Sequence, residues 1–444
     1  MKWLGLFVLL SAILPISGWL RRRPRETPKI WMLIGFLPFV TDPFHLLMAG
    51  ISHTWWPGHA SGTDITVLDG LVLALYLNLP SSPNRLPFRL PMVLYFLTVL
   101  LSVLQAQWKM EALFYVWQLL RMFFVYATIA KACACDDRVP LSLLKGMTAG
   151  LIMEAGVVLF QRYALGMILA DGTFAGHNFL GLLSHFIVFP NLALILAGER
   201  GLFVGAVLVA GLIVEVYTTS RATIGLAGFG YVLMFMLSAV RQWTPRKMIF
   251  FVMGLVAISA VAPVAILSFE KRFAVEDVHE FDERAAFERA AAMILSDHPL
   301  GVGANQYVVV AGTQGYNKAA GVPQATGQND AVVHNLYWLV AAETGYPGVI
   351  TFVVLLLCPL AVAFRCGWRN RKDRRGDLLI GLGVSLLVVY LHCLYEWILI
   401  NYQGQYIFVM EVGLVAGLAQ QLGYWQRSSY AQHKVLPQRL ANPQ

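Results

Sequence analysis

Apolar runs of about 20 residues recur along nearly the whole chain, separated by short breaks rich in charged residues, glycine or proline. A helix of that length crosses roughly 30 Å of hydrocarbon, so the pattern predicts an all-α polytopic membrane protein. Runs such as residues 202–214 and 352–362 are apolar throughout rather than alternating, which excludes a transmembrane β-barrel. We predict thirteen spans, or twelve if the first run is a signal-like segment; they cover residues 3–20, 30–50, 64–80, 88–106, 112–131, 141–165, 179–198, 201–217, 222–240, 248–268, 334–364, 377–399 and 406–424.

The composition supports the same class of protein. Hydrophobic residues make up 58% of the 444 residues, charged residues make up 13%, and the mean hydropathy is +0.62. A soluble domain usually has about 25% charged residues, so no separate soluble domain of ordinary size is predicted. The net charge of +8 comes from basic residues spread through the loops, without the aromatic-interleaved patch of a nucleic-acid interface. We therefore expect membrane lipids, and no nucleic acid, among the partners.

The basic loops predict the orientation, because Lys and Arg concentrate in short cytoplasmic loops. Two basic clusters, residues 21–29 and 365–375, fall on the same side when the predicted spans are counted, and the remaining basic loops agree with them. The longest loop then lies outside. The predicted organisation is N-terminal transmembrane helices over 1–268, an external loop with amphipathic helices over 269–333, C-terminal transmembrane helices over 334–425 and a disordered cytoplasmic tail over 426–444.

Two groups of polar residues begin helices on the predicted external side. Arg221 follows the hydroxyl-rich residues 218–220, where a guanidinium is suited to bidentate phosphate binding. The alternative is an interfacial arginine whose side chain reaches to water. His177 and Asn178 close a glycine-rich turn before another helix, where they either cap that helix or line a substrate site.

The external loop contains a predicted amphipathic helix over residues 281–294, which carries Arg284 and Arg289. Its apolar face is predicted to consist of Phe281, Ala285, Phe287, Ala291 and Ile294. Its charged face is either solvated or binds an anion. The helix is predicted to stop at residues 297–299, and the glycines at 301 and 303 make a tight turn rather than a nucleotide loop, because no strand precedes them. The acidic residues near the start of the helix lack a compact metal-ligand spacing, so no metal site is predicted; they are Glu280, Asp282 and Glu283.

His334 and Asn335 stand at the beginning of the next predicted helix. A histidine there titrates near neutrality, so it is able to take a proton from an attacking hydroxyl. The alternative is a structural histidine.

The order of these motifs resembles that of the O-antigen ligase and polymerase superfamily of bacterial inner membranes, over about residues 140–420. The similar features are a glycine-rich turn with a polar pair, a Ser-Arg at a helix start, an arginine-bearing loop helix that ends in His-Pro-Leu and Gly-Val-Gly, and a His-Asn that opens the following helix. One departure is Glu288, which stands where the family has an aromatic residue four positions after the loop arginine; Arg289 therefore competes with Arg284 for that role.

The resemblance implies a glycosyltransferase that moves a glycan from an undecaprenyl-diphosphate donor to an acceptor hydroxyl at the periplasmic face of the inner membrane. It implies inversion of configuration and no cofactor, nucleotide sugar or metal. Lipid A-core is the favoured acceptor, which makes the protein a ligase; a glycan acceptor makes it a polymerase and a protein acceptor an oligosaccharyltransferase. The implied catalytic residues are His334 as general base with Arg221 and Arg284 at the diphosphate, and the implied substrate-binding residues are Arg289, His177, Asn178 and Asn335.

A transporter is the alternative from a different class. Transporters place ionisable residues near the bilayer midplane on broken helices. Glu154, Arg121 and Glu396 are instead scattered along the predicted spans, and the functional-looking groups gather at the external rim.

Overall fold

The computed structural model describes residues 2–80, 85–174, 176–199, 201–273, 280–323 and 331–425, which form sixteen α-helices and one two-stranded sheet. The helices are α1 (Lys2–Arg22), α2 (Thr27–Phe36), α3 (Val67–Tyr76), α4 (Arg89–Ser102), α5 (Lys109–Cys135), α6 (Arg138–Tyr163), α7 (His177–Leu196), α8 (Leu202–Tyr217), α9 (Arg221–Arg241), α10 (Pro245–Phe273), α11 (Glu280–Asp297), α12 (Tyr307–Thr313), α13 (Tyr316–Ala320), α14 (Leu336–Arg369), α15 (Arg374–His392) and α16 (Tyr402–Gln421).

The fold is mostly helical, as the apolar runs predict. Within the described ranges, seven helices are long and apolar enough to cross a membrane, namely α1, α5, α6, α7, α9, α14 and α15. Three shorter apolar helices, α3, α4 and α8, add to them. The predicted total of twelve or thirteen spans and the external position of residues 269–333 stay predictions.

The prediction of one span over residues 30–50 is wrong. Helix α2 ends at Phe36, a 3₁₀ turn follows at Leu37–Phe39, and strand β1 (Leu47–Ser52) pairs antiparallel with β2 (Gly62–Thr66). Pro38 and Pro43 interrupt the helix, because proline lacks the amide hydrogen that a helix interior needs. The fold is therefore not purely helical, and the predicted span over 64–80 is reduced to the ten-residue helix α3.

Helix α15 packs against both α7 and α9 and fixes which helix ends lie together. Gly381 of α15 lies so close to α7 that a Cβ there would be 2.9 Å from the Phe189 carbonyl oxygen. At the far end of the same pair, the His185 and His392 rings are 5.3 Å apart, so α7 and α15 are antiparallel. An ion pair of 3.0 Å between Arg241 Nη1 and Asp377 Oδ1 likewise joins the end of α9 to the start of α15.

This arrangement brings the starts of α7, α9 and α14 to the end of the bundle where α15 stops. The Leu336 amide at the start of α14 donates a 2.9 Å hydrogen bond to the Cys393 carbonyl, just beyond α15. Residues far apart in sequence, from His177 to His334, are thereby gathered at one end of the protein.

The segment between α10 and α14 folds into three helices against α14. The predicted helix over 281–294 is confirmed as α11, and it ends at Asp297. Phe287, Ala291 and Ile294 are buried as the pattern predicts, whereas Ala285 is exposed. The buried face thus includes the neighbouring alanines at 286 and 290 and packs on α13 and α14.

The Gly-Val-Gly turn fastens this segment to a kink in α14. Gly345 has a φ of +67°, and a Cβ there would be 2.3 Å from the Pro299 carbonyl oxygen; a Cβ on Gly301, whose φ is +81°, would be 2.3 Å from the Glu343 carbonyl oxygen. The amides of Val302 and Gly303 donate hydrogen bonds of 3.0 and 2.9 Å to α14 carbonyls. Only glycine permits this approach of two backbones.

Candidate functional site

Two predicted catalytic residues meet at a carboxylate. His334 Nδ1 lies 3.4 Å from Glu396 Oε2, and Arg284 Nη2 lies 3.9 Å from Glu396 Oε1. The His334 and Arg284 side chains are 34% and 31% exposed, whereas the Glu396 side chain is 5% exposed. The imidazole and the guanidinium are therefore both accessible to a substrate. Both lie against the buried carboxylate of Glu396.

Asn335 sets the position of His334 by capping α14. Its Oδ1 accepts hydrogen bonds of 3.1 and 3.3 Å from the amides of Tyr337 and Trp338, as an N-cap residue does. Its Nδ2 donates a 3.0 Å hydrogen bond to Glu288 on α11. Because the polar atoms of Asn335 already have these partners, its observed role is to join α11 to the start of α14.

The Asn335–Glu288 contact also positions Arg284. Residues four apart lie on the same face of a helix, so the hydrogen bond at Glu288 orients the Arg284 face of α11 toward His334. The departure from the family pattern at position 288 thus has a structural function in this chain.

Arg289 points elsewhere. Five residues separate it from Arg284, which is about 140° around the helix, and its Nη2 and Nε donate hydrogen bonds of 3.0 and 3.3 Å to the Ala320 carbonyl. The structure therefore places Arg284, and not Arg289, beside the Glu396 carboxylate that His334 also approaches.

Arg221 is the first residue of α9 and is exposed. The preceding residue, Ser220, caps the helix by accepting a 3.4 Å hydrogen bond from the Thr223 amide. Thr219 has a φ of +51°, and residues 218–220 are buried. Since α9 runs antiparallel to α15, Arg221 lies at the same end of the bundle as His392 and the segment that carries Glu396.

His177 and Asn178 form the first turn of α7, and neither caps it: the N-cap is Gly176. His177 Nδ1 lies 3.8 Å from Asp171 Oδ1. The preceding turn is fastened to α6 by two 2.8 Å hydrogen bonds between the backbone of Gly172 and the amide of Gln161. The structure thus gives both polar residues a fixed place at the same end of the bundle, without showing a contact to His334.

Glu396 is the site residue that sequence reasoning missed, because it counted as one of several scattered ionisable residues. It lies after the end of α15, in a turn where the Tyr395 amide donates a 2.9 Å hydrogen bond to the His392 carbonyl. One available signal was a lone acid beside aromatic residues at the predicted end of a span, where a charge is costly unless it is used.

His59 is a second histidine near a carboxylate, but it is not suited to act as a general base. His59, in the β1–β2 loop, is buried, packs edge-on against Tyr115 at 4.8 Å and has Nδ1 3.9 Å from Glu343 Oε1. Burial lowers the pKa of His59 to about 3. An acceptor hydroxyl has no access to this ring, whereas His334 is partly exposed.

One comparison with known proteins covers the part of the chain that contains most of these residues. A family model described as O-antigen ligase matches residues 206–353, the segment that contains Arg221, Arg284 and His334. This match over about a third of the chain supports the O-antigen ligase superfamily, in agreement with the resemblance that the order of the motifs indicates. The chain is a multi-pass membrane protein and an enzyme of the O-antigen ligase or polymerase type. No curated protein matches the chain.

Proposed function

We propose that this protein is an O-antigen ligase, which transfers a glycan from undecaprenyl diphosphate to a hydroxyl of lipid A-core at the periplasmic face of the inner membrane. The observation that carries the proposal is the convergence of His334 and Arg284, two residues of the segment that matches the family, on buried Glu396. A base and a cation side by side suit a reaction that deprotonates an alcohol and expels a diphosphate.

His334 acts as the general base. Its Nδ1 faces Glu396, so Nε2 takes the proton of the acceptor hydroxyl. The acceptor oxygen attacks the anomeric carbon of the donor sugar while the bond from that carbon to the diphosphate oxygen breaks. The products are the inverted glycoside and undecaprenyl diphosphate, and the proton leaves His334 to the diphosphate or to water. Glu396 stabilises the imidazolium that forms during the transfer.

The arginines act on the diphosphate. Arg284 and Arg221 neutralise it in the bound donor, and more strongly as negative charge develops on the leaving oxygen. No metal is needed if two guanidinium groups supply this charge. His177 and Asn178 bind the substrate at the edge of the site, and Asn335 contributes by orienting the base. Arg289, which donates to the Ala320 carbonyl, has no role in this mechanism.

The proposal predicts that His334→Ala and Arg221→Ala fail for different reasons. Loss of the base should lower turnover by about 10² to 10⁴ and leave donor affinity unchanged. Loss of Arg221 should cost about 3 kcal/mol in the transition state and also weaken donor binding. Transfer and donor binding are measured separately on purified protein, with monodispersity as the folding check.

Lys318→Ala is the matched control. Lys318 is an exposed cation in the segment that matches the family, and it is not a residue of the proposed site. Lys318→Ala should change neither the activation free energy of transfer nor the free energy of donor binding by more than about 0.5 kcal/mol. Near wild-type turnover in His334→Ala refutes the assignment of the base. Lipopolysaccharide profiles of a deletion strain test the acceptor: loss of every capped species supports a ligase, whereas single-repeat caps show a polymerase.

A further inference from the structure

A cavity of about 730 Å³ lies at the end of the bundle opposite His334. It is open on one side and is lined by the start of α4, the last turns of α14 and the chain just beyond α16. Both basic and apolar side chains line it, among them Arg85, Arg89, Leu90, Val362, Arg365 and Trp425. None of these residues belongs to the proposed transferase site.

The three arginines give the cavity a strongly positive wall. Arg85, Arg89 and Arg365 are exposed, and in the part of the chain that the structure describes none of them forms an ion pair with a carboxylate. The adjoining stretches 81–84 and 426–444 contain no Asp or Glu. The wall is therefore positively charged, which favours an anionic partner.

The backbone adds to this positive charge. Helix α4 begins at Arg89, and its N-cap, Phe88, makes no side-chain hydrogen bond to the first turn. The amides at a helix start carry partial positive charge and bind phosphate readily. Phe88 has a φ of +53°, which is uncommon for a non-glycine residue, and its ring packs against Trp425 at 6.0 Å.

The apolar wall of the cavity continues along the sides of two helices. Large apolar side chains at helical spacing are exposed on α4 and on α14; they are Leu90, Leu94, Leu97 and Leu101 on the first and Ile350, Val354 and Leu357 on the second. These stripes are what lipid chains contact in a membrane protein. A soluble anion would use only the arginines, whereas a phospholipid uses both walls.

We propose that this cavity binds an anionic glycerophospholipid. Its phosphate contacts the three arginines and the start of α4, and its acyl chains lie along the exposed sides of α4 and α14. In the predicted orientation this is the cytoplasmic leaflet, where such basic pockets between helices attract anionic headgroups. The proposal is independent of the acceptor and the donor of the transferase reaction.

The test is a native mass spectrometry titration of the detergent-purified full chain with dioleoylphosphatidylglycerol, with dioleoylphosphatidylcholine as the neutral lipid. Replacing Arg85, Arg89 and Arg365 by glutamine together should weaken phosphatidylglycerol binding on the order of 100-fold, because each basic residue contributes about fivefold. Phosphatidylcholine binding should stay unchanged.

The matched control replaces Arg21, Arg22 and Arg25 by glutamine, which removes the same charge from exposed residues at the end of α1 and in the 3₁₀ turn that follows it. This variant should bind phosphatidylglycerol as the wild type does. Val362→Trp, which fills the apolar wall and keeps the arginines, should also weaken phosphatidylglycerol binding. Equal losses in the two triple variants overturn the proposal, as does displacement of the lipid by millimolar inorganic phosphate, which would mark a site for free anions.

Discussion

Replacing Glu396 by glutamine is the sharpest perturbation of the proposed site. The change keeps the size of the side chain and removes the negative charge that lies 3.4 Å from His334 Nδ1. In the proposed mechanism the lost attraction acts mainly after His334 has taken the proton of the acceptor and carries a positive charge. Turnover should therefore fall, while the donor should bind at least as well as before, because one anion has been removed from beside its diphosphate.

The size of the effect follows from the geometry. Two unit charges about 4 Å apart attract by about 4 kcal/mol at an effective dielectric constant of 20. The His334 side chain is 34% exposed, and solvent screening at such a site reduces the attraction to about 2 to 3 kcal/mol. Each 1.36 kcal/mol is a factor of ten in rate, which gives a loss of roughly 30- to 150-fold in kcat. Glu396→Asp keeps the charge and should lose less.

The assay measures kcat and the donor KM separately with purified protein. Glu411→Gln is the control: Glu411 is another buried carboxylate, it accepts a 3.0 Å hydrogen bond from Ser385, and it lies in α16 away from the site. It should keep wild-type kinetics. If Glu396→Gln retains kcat within about threefold, or if it lowers kcat only by raising the donor KM, then Glu396 does not stabilise the imidazolium.

Three further predictions concern topology, metal and pH. Gln314 is exposed, and a cysteine in its place should react with an impermeant maleimide in intact spheroplasts; protection there contradicts the external loop. Chelation with EDTA should leave transfer unchanged, and activity that is lost and then restored by magnesium or manganese contradicts a metal-free reaction. Burial lowers the pKa of His59 from 6.5 to about 3, so between these values the unfolded chain takes up a proton that the folded chain does not. The contribution of His59 to the free energy of unfolding should therefore fall by about 2 kcal/mol from pH 7.5 to 5. The difference in thermal stability between the wild type and His59→Gln should change by a corresponding amount over this range; a difference that is independent of pH refutes this origin.

Helix ends near the site could be predicted from the sequence because local chemistry sets them. Asn335 begins α14 by hydrogen bonding to amides two and three residues later, and α11 stops at Asp297 before a proline. These signals act within one turn of chain. Hydrophobic periodicity also predicted α11, although its buried face was wrong at Ala285, because neighbouring alanines pack equally well on α14.

What could not be predicted depends on contacts between distant segments. Glu396 is 62 residues from His334, and the two are brought together where the Leu336 amide donates a hydrogen bond to the Cys393 carbonyl. The choice between Arg284 and Arg289 likewise depends on the rotation of α11, which the Asn335–Glu288 hydrogen bond fixes. The spacing of apolar residues along the chain does not determine this rotation.

Helix α14 is the element on which the proposed site depends. Its start orients His334, its N-cap Asn335 holds α11 and thereby Arg284, and its kink at Gly345 receives the turn that follows α11. His334, the proposed base, and Arg284, one of the two proposed diphosphate ligands, are therefore both positioned by α14, although they lie 50 positions apart in sequence. Their position relative to Arg221 depends instead on α15, which packs against α9 and bonds the start of α14 just beyond its own end. The contact between α14 and α15 thus sets the distance between Arg221 and Arg284. The same contact positions Glu396, because the Cys393 carbonyl that accepts the hydrogen bond lies only three residues before it.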